Sequence, residues 1–148
     1  MAASKYERYI VRKPNYEVVA PYEGRQNPTM TFMSSKQVPE ANYYIELGWI
    51  YEMPRPNPHI HEHVHDFDEI ILHWGGNHKV PQVLGGEIEI YVGGQPITFN
   101  TTSAIYVPAG VSHGPLTWKK FDFPHIEMTI MLGTGDVKEA MPGGHKQK

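Results

Sequence analysis

The chain reads as an all-β protein, and three observations predict it. Segments of alternating apolar and polar residues recur along its length, as half-buried strands require. Fourteen glycines and thirteen prolines are dispersed among them, supplying tight turns. No stretch carries a convincing helical period before Val137–Met141. Many short strands at close spacing favour a sandwich or a closed barrel.

Taken in order, residues 1–40 hold Pro14, Pro21, Pro28 and Pro39 and few long apolar runs. They form an N-terminal extension with one or two strands, the better one near Thr29–Ser34. From Tyr43 the period becomes two. Tyr43, Ile45, Leu47, Trp49, Tyr51 and Met53 share one face, and Tyr44, Glu46, Gly48, Ile50 and Glu52 the other. The aromatic and branched row marks a half-buried strand, with Trp49 and Tyr51 as core residues. The run P-R-P-N-P over 54–58 ends ladder bonding. A histidine-rich segment follows, and then a short strand Glu69–His73. Gly75-Gly76-Asn77 is a turn.

Residues 84–99 form a hairpin. Ile88, Ile90 and Val92 oppose Glu87, Glu89 and Tyr91, and Gly93-Gly94 supplies the positive φ of the turn. Ile105–Val107 is a strand that stops at Pro108. Over His125–Leu132, Ile126, Met128, Ile130 and Leu132 face one way and His125, Glu127, Thr129 and Met131 the other. Which row faces inward stays open. With His125 and Glu127 inside, they line a pocket and can move protons; otherwise they lie in solvent or at a dimer surface. The organisation is therefore an extension over 1–40, a barrel over 41–135 and a flexible tail over 136–148.

Composition narrows the function. One domain is expected for 148 residues. Cysteine is absent, which excludes disulfides, thiolate zinc sites and cysteine nucleophiles. The formal charge is −3 and the basic residues are scattered, so no nucleic-acid footprint exists. No apolar run approaches membrane-spanning length, and Met1–Arg8 lacks a signal-peptide core. A cytoplasmic chain is the expectation.

The chemistry lies in H-I-H-E-H-V-H-D-F-D-E, residues 59–69, and V-P-A-G-V-S-H, residues 107–113. His63, His65, Glu69 and the distant His113 are a ligand set for one divalent ion such as iron, manganese, nickel, cobalt or zinc. On a strand, His63 and His65 face the same side. Glu69 enters after a turn, in which Asp66 and Asp68 serve. Pro108 and Gly110 make a sharp turn that starts the next strand at His113. Carboxylate with imidazoles and no thiolate describes an open site rather than a closed structural one.

The pattern H-x-H-x3-E-x6-G, met by His63, His65, Glu69 and Gly76, resembles the first motif of the cupin superfamily. P-x-G-x2-H, met by Pro108, Gly110 and His113, resembles the second. The resemblance covers residues 42–132. It implies a cupin-type double-stranded β-helix (jelly-roll) barrel binding a metal through three His and one Glu. Family glycines fall here at Asn57 and Thr102, and a family Asn at Thr117. Residues 75–84 look like an inserted loop, framing the mouth or a subunit contact. His59, His61, His63 and His65 share one parity, so His61 with His63 is an alternative gripping pair; the spacing to Glu69 in the family favours His63 and His65.

The resemblance implies a metal-dependent enzyme on a small polar organic molecule, whether dioxygenase or Lewis-acid isomerase or lyase. The alternative is a non-catalytic, metal-anchored small-molecule binder. His61, His125 and Glu127 are candidates for proton transfer. His73 and His78 read as ordinary strand-end and loop residues, and His59 as a rim or supporting residue. Barrels of this kind pair through sheet edges, so a homodimer is expected, with the 1–40 arm covering or crossing an edge.

Overall fold

Nine strands divide between two antiparallel sheets in the computed structural model, which describes residues 4–20 and 22–136. The strands are β1 (Glu23–Arg25), β2 (Met30–Met33), β3 (Tyr43–Arg55), β4 (Asp68–Gly75), β5 (Val83–Val92), β6 (Gln95–Thr101), β7 (Ser103–Val107), β8 (His113–Phe121) and β9 (His125–Leu132). The larger sheet runs β1-β3-β9-β4-β7, with β2 also paired to β3; the smaller runs β6-β5-β8. The expected all-β jelly roll is the observed fold. The expected helical segment Val137–Met141, and the tail beyond Asp136, lie outside the described residues.

Between the sheets the two inner faces differ in kind. The small sheet contributes Ile88, Ile90, Leu116 and Trp118, all buried, which pack with Ile50, Ile71, Leu84 and Val107. The large sheet presents a polar row instead: Glu46 on β3, Glu69 and His73 on β4, and His125 and Glu127 on β9, all buried. One wall therefore supplies hydrophobic burial and the other carries the functional groups.

That division corrects the reading of β3. Tyr44, Glu46, Gly48 and Ile50 point inward, while Trp49 is 40% exposed and Tyr51 48%. The aromatic row faces out. Its neighbours in register continue it across the sheet: Trp49 pairs with Ile126 and Ile126 with Trp74; Leu47 with Met128 and Met128 with Leu72; Ile45 with Ile130 and Ile130 with Ile70. Alternation reports which residues share a face, not which face is inside. Here the interior needs the polar row.

The N-terminal segment packs on its own barrel. β1 and β2 both pair with β3, and Val18, Tyr22, Arg25 and Thr31 are buried. The extension thus covers the edge of the large sheet.

The segment 76–82 joins β4 to β5. A strand rises about 3.3 Å per residue, so Gly75 lies about 20 Å along β4 from Glu69. None of residues 75–84 lines the pocket beside Glu69, so the expected framing of the mouth by this loop is not what the structure has. Thr102 fastens it, accepting from the Gly75 N–H (3.0 Å) and donating to the Pro81 carbonyl (2.6 Å). The side chain at this position thus has structural work that a glycine could not do.

Candidate metal centre

Two short segments, fifty residues apart, are locked together by their backbones. The His63 N–H donates to the His113 carbonyl and the His113 N–H to the His63 carbonyl, both at 2.9 Å. The histidine-rich segment is not a regular strand, contrary to expectation. Its backbone pairs with β8 at two isolated bridges, Ile60 to Leu116 and His63 to His113. Asn57 ties its start to β8, donating to the Trp118 carbonyl (2.7 Å) and accepting from the Trp118 N–H (2.9 Å). The irregular path breaks the shared parity of the four histidines. His59 goes to full burial, His61 turns out to solvent, and His63 and His65 face His113 and Glu69.

Single ligand atoms of His63, His65, Glu69 and His113 all lie within 4.8 Å of one another. The His63 and His113 ring centres are 4.3 Å apart, and those of His65 and His113 4.8 Å. His113 Nε2 is 3.0 Å from Glu69 Oε1, and His65 Nε2 is 3.7 Å from it. His61 has no part in the group.

Each imidazole is anchored through its other nitrogen. Nδ1 of His63 sits 2.7 Å from the His61 carbonyl, Nδ1 of His65 3.0 Å from the Phe67 carbonyl, and Nδ1 of His113 3.0 Å from the Val111 carbonyl. A carbonyl can only accept, so each Nδ1 carries the proton. The three Nε2 atoms are thereby aimed at Glu69. His65 is also held by stacking on Phe67, with ring centres 4.0 Å apart. Its Nε2 is buried and has no hydrogen-bond partner. Buried polar nitrogens are rarely left so. Imidazole tautomers fixed by carbonyls, one orphaned Nε2 and a carboxylate are a donor set that fits a divalent transition metal.

The electrostatics agree with a preorganised anion. Burial alone would raise the Glu69 carboxyl; the hydrogen bond from His113 and the nearby His65 outweigh it and hold it below the usual carboxylate range. Burial pushes His63 down. Burial also works against a charged His113, but its bonds to Glu69 and the Val111 carbonyl win and raise it. Asp68 serves the neighbouring turn, its carboxylate accepting from the Ala109 N–H (2.8 Å).

A pocket opens from the ligand cluster into the barrel. His63, Glu69 and His113 line it together with Tyr44, Glu46 and Glu127. Counted with the open solvent at its mouth, the space inside it is about 570 Å³. Among the described residues no lysine or arginine lines it.

Behind the pocket lies a polar cluster that the sequence reading only partly anticipated. Glu127 is buried and lines the pocket. Its Oε2 accepts from His73 Nε2 at 3.1 Å, and its Oε1 lies 3.7 Å from His59 Nε2 and 3.8 Å from an Arg25 nitrogen. Burial would raise Glu127, but His59, His73 and Arg25 together hold it well below the usual range. His125 points inward yet does not line the pocket. Its Nδ1 donates to the Phe123 carbonyl (3.0 Å) and its Nε2 accepts from the Trp118 indole (2.9 Å), so both ring nitrogens are occupied. Glu46 is pushed up, chiefly by burial, and accepts from the Tyr44 hydroxyl at 2.9 Å. His59 and His73, read as peripheral, are fully buried. The signal for His73 was available, because it lies four residues along β4 from Glu69 and so shares its inward face. Arg25 gave no such signal, since it comes from a three-residue strand in a proline-rich stretch.

Two facing antiparallel sheets, with both motifs delivering imidazoles into the space between them, define a cupin-type barrel. No family model and no curated protein sequence matches the chain. Among solved structures it is similar to an RmlC-like cupin from Shewanella frigidimarina NCIMB 400, at 13% identity over 81% of this chain and 86% of that one, TM-score 0.48. It is also similar to KdgF from Halomonas sp., at 14% identity over 78% and 84%, TM-score 0.48. A third is the EutQ protein of Clostridium difficile, at 11% identity over 81% and 72%, TM-score 0.45. These likenesses concern the fold. No helix of the described residues is long and apolar enough to cross a membrane.

Proposed function

We propose that the chain is a metal-dependent enzyme acting on a small, polar, oxygen-rich organic molecule. The observation that carries this is the convergence of three carbonyl-anchored imidazoles on Glu69 at the wall of a pocket. A divalent ion held by His63, His65, Glu69 and His113 would supply Lewis-acid polarisation or oxygen activation at its open positions. The chain's own groups then divide the remaining tasks. Glu127, pinned as an anion by His73, His59 and Arg25, is a weak base and a fixed acceptor for a substrate hydroxyl. Glu46 is the better proton carrier, because burial raises it above the ordinary carboxyl value and it faces the pocket. The Tyr44 phenol, pushed up by burial, stays protonated and orients the Glu46 oxygen. His61, exposed and off the pocket wall, and His125, with both nitrogens occupied, are set aside as proton carriers. Carboxylates at its wall, with no lysine or arginine among the described lining residues, suit hydroxyl-bearing or enolisable substrates better than phosphorylated ones.

Metal analysis of protein purified without added metal tests this first. About one equivalent of a transition metal is expected. It should fall by at least 10-fold in His113→Ala and stay unchanged in His61→Ala. Retention in the first variant with loss in the second would overturn the ligand set. Oxygen uptake by the iron form on dicarbonyl and hydroxy acids, set against metal-dependent isomerisation of the same panel, then separates oxygenase from Lewis-acid chemistry. Tight binding without turnover of any member moves the site to a metal-anchored binder.

A further inference from the structure

The pocket has two polar ends. At one lie His63, Glu69 and His113; the other is formed by Glu46, Thr129 and Glu127. Glu46 and Thr129 are register partners on β3 and β9, and Glu127 lies two residues from Thr129 on the same inner face of β9. Glu69 is the register partner of Met131. At about 3.3 Å per residue, Thr129 therefore stands about 7 Å, and Glu127 about 13 Å, along the sheet from Glu69. The small sheet supplies the facing wall, with Ile90 and Leu116. A ligand that fills this space has one end at the metal ligands, an apolar flank and a second end at the far carboxylates.

Glu127 is short of a donor at that far end. Its Oε2 accepts from His73, but its Oε1 stands 3.7 Å from His59 Nε2 and 3.8 Å from an Arg25 nitrogen, both beyond hydrogen-bond reach. The side chain is only 9% exposed, and it faces the pocket. An acceptor so deeply buried is rarely left without a partner. Charge is unbalanced as well. With histidine counted as neutral, Glu46 and Glu127 share the single guanidinium of Arg25 behind them. Burial chiefly pushes Glu46 up; Arg25 works against that rise, and the neighbouring Glu127 charge adds to it.

We infer, resting on the metal-dependent reading above, that the far end of the pocket receives a primary ammonium group, so that the substrate is an amine with metal-binding oxygens at its other end. The alternatives fit worse. An anionic end would face two carboxylates. An apolar end would strip their water and return no hydrogen bond. A hydroxyl brings one donor and no charge. An ammonium brings three donors and one positive charge, which match Glu46, Thr129, the undersupplied Glu127 Oε1 and the uncompensated charge. Directly opposed side chains on a sheet have Cβ atoms about 4.5–5.5 Å apart, and same-face neighbours along a strand are about 7 Å apart. Side chains at those spacings can converge on one nitrogen. A second metal ion has no comparable cage here, since the convergent group among the described residues is the one at Glu69.

Matched hydroxamates test this, because a hydroxamate chelates a metal through two oxygens and carries a chosen tail. Calorimetry on the full chain incubated with zinc should show 6-aminohexanohydroxamate binding about 10–100-fold tighter than hexanohydroxamate or 6-hydroxyhexanohydroxamate, the range a charged hydrogen bond supplies. Glu127→Gln should keep the affinity for hexanohydroxamate and remove most of that preference. Thr129→Val, which keeps the branched shape and leaves the ion pairs intact, should reduce it severalfold. Equal affinity for the three compounds overturns the inference, as does tighter binding of the hydroxyl compound or a preference untouched by both variants. Hexylamine and hexanol give a readout that needs no chelation. Hexylamine at millimolar concentration should shift the amide NMR signals of Thr129 and Glu127, and hexanol should not. If no hydroxamate binds, the metal-dependent reading fails, and the hexylamine comparison decides the ammonium site alone: selective shifts uphold it and their absence overturns it.

Discussion

Removing Glu127 should unfold the barrel's interior before it touches the metal centre. Glu127→Ala deletes the one carboxylate that His73 donates to at 3.1 Å and that lies 3.8 Å from the 5%-exposed Arg25 side chain. Breaking a buried ion pair from one side costs about 3–5 kcal/mol, because the remaining charge stays buried without compensation. The Glu46 carboxylate also acts on Arg25, so the lower end, about 3 kcal/mol, is expected. For a chain of this size each kcal/mol moves the melting temperature by about 2–4 °C, so the loss is roughly 6–12 °C. Urea unfolding followed by circular dichroism measures it, with the m-value checking that the denatured state is unchanged. The double variant Arg25→Met/Glu127→Leu removes both charges and fills the space. It should recover to within about 1 kcal/mol of the parent, as apolar replacement of buried pairs commonly does. The sign with pH is fixed. Glu127 is depressed in the folded state, so its contribution is complete above the ordinary carboxyl value of 4.5 and is lost only as pH falls through its lower folded value. Glu127→Gln and the parent should therefore differ fully at pH 7 and converge only in strong acid. A Glu127→Ala penalty under 1 kcal/mol, or a double variant no better than the single one, would refute the reasoning.

Glu46 should behave oppositely. Its folded value is raised above 4.5, so its contribution is full below that pH and is lost as pH rises through the folded value; Glu46→Gln should gain stability relative to the parent as pH rises above 4.5. The same substitution should abolish turnover while metal content holds, read by element analysis beside the activity assay. Gly114 has φ +93° and a Cβ there would meet the His61 carbonyl at 2.5 Å, so Gly114→Ala should displace the His63–His113 bridge and lower metal loading. Gly110→Ala, with nothing within 4 Å of its Cβ, should show only the cost of a left-handed backbone, about 1–2 kcal/mol, and keep its metal.

Local chemistry made most of the strands legible. The Gly93-Gly94 turn has φ +58° and +77° and joins β5 to β6 where the alternation stops. β2 falls within the predicted Thr29–Ser34, and β7 ends at Val107 before Pro108. The histidine segment was read as a strand from its spacing, and that inference overreached. Asn57 and the bridges at Ile60 and His63 determine its path, and such long-range anchors leave no period in the sequence. The four candidate ligands nevertheless meet, because the His63–His113 pairing fixes their approach regardless of the strand between.

The inside–outside reversal of β3 has a single physical origin. A barrel that must place Glu46, Glu69, His73 and Glu127 around an interior pocket cannot also put Trp49, Trp74 and Met128 on that wall. Core packing then rests mainly on the small sheet, through Ile88, Ile90, Leu116 and Trp118, with Ile50, Ile71 and Val107 from the large sheet, and the large sheet's aromatic row is left outside. Hydrophobic alternation is blind to this choice, since both rows of β3 contain large residues. The polar row resolves it. Four ionisable side chains on one face of three adjacent strands are improbable on a solvent face whose opposite side would then bury Trp49, Trp74 and Met128 beside an already apolar small sheet, with no group left to bind anything. Functional demand on the interior therefore predicts the apolar exterior.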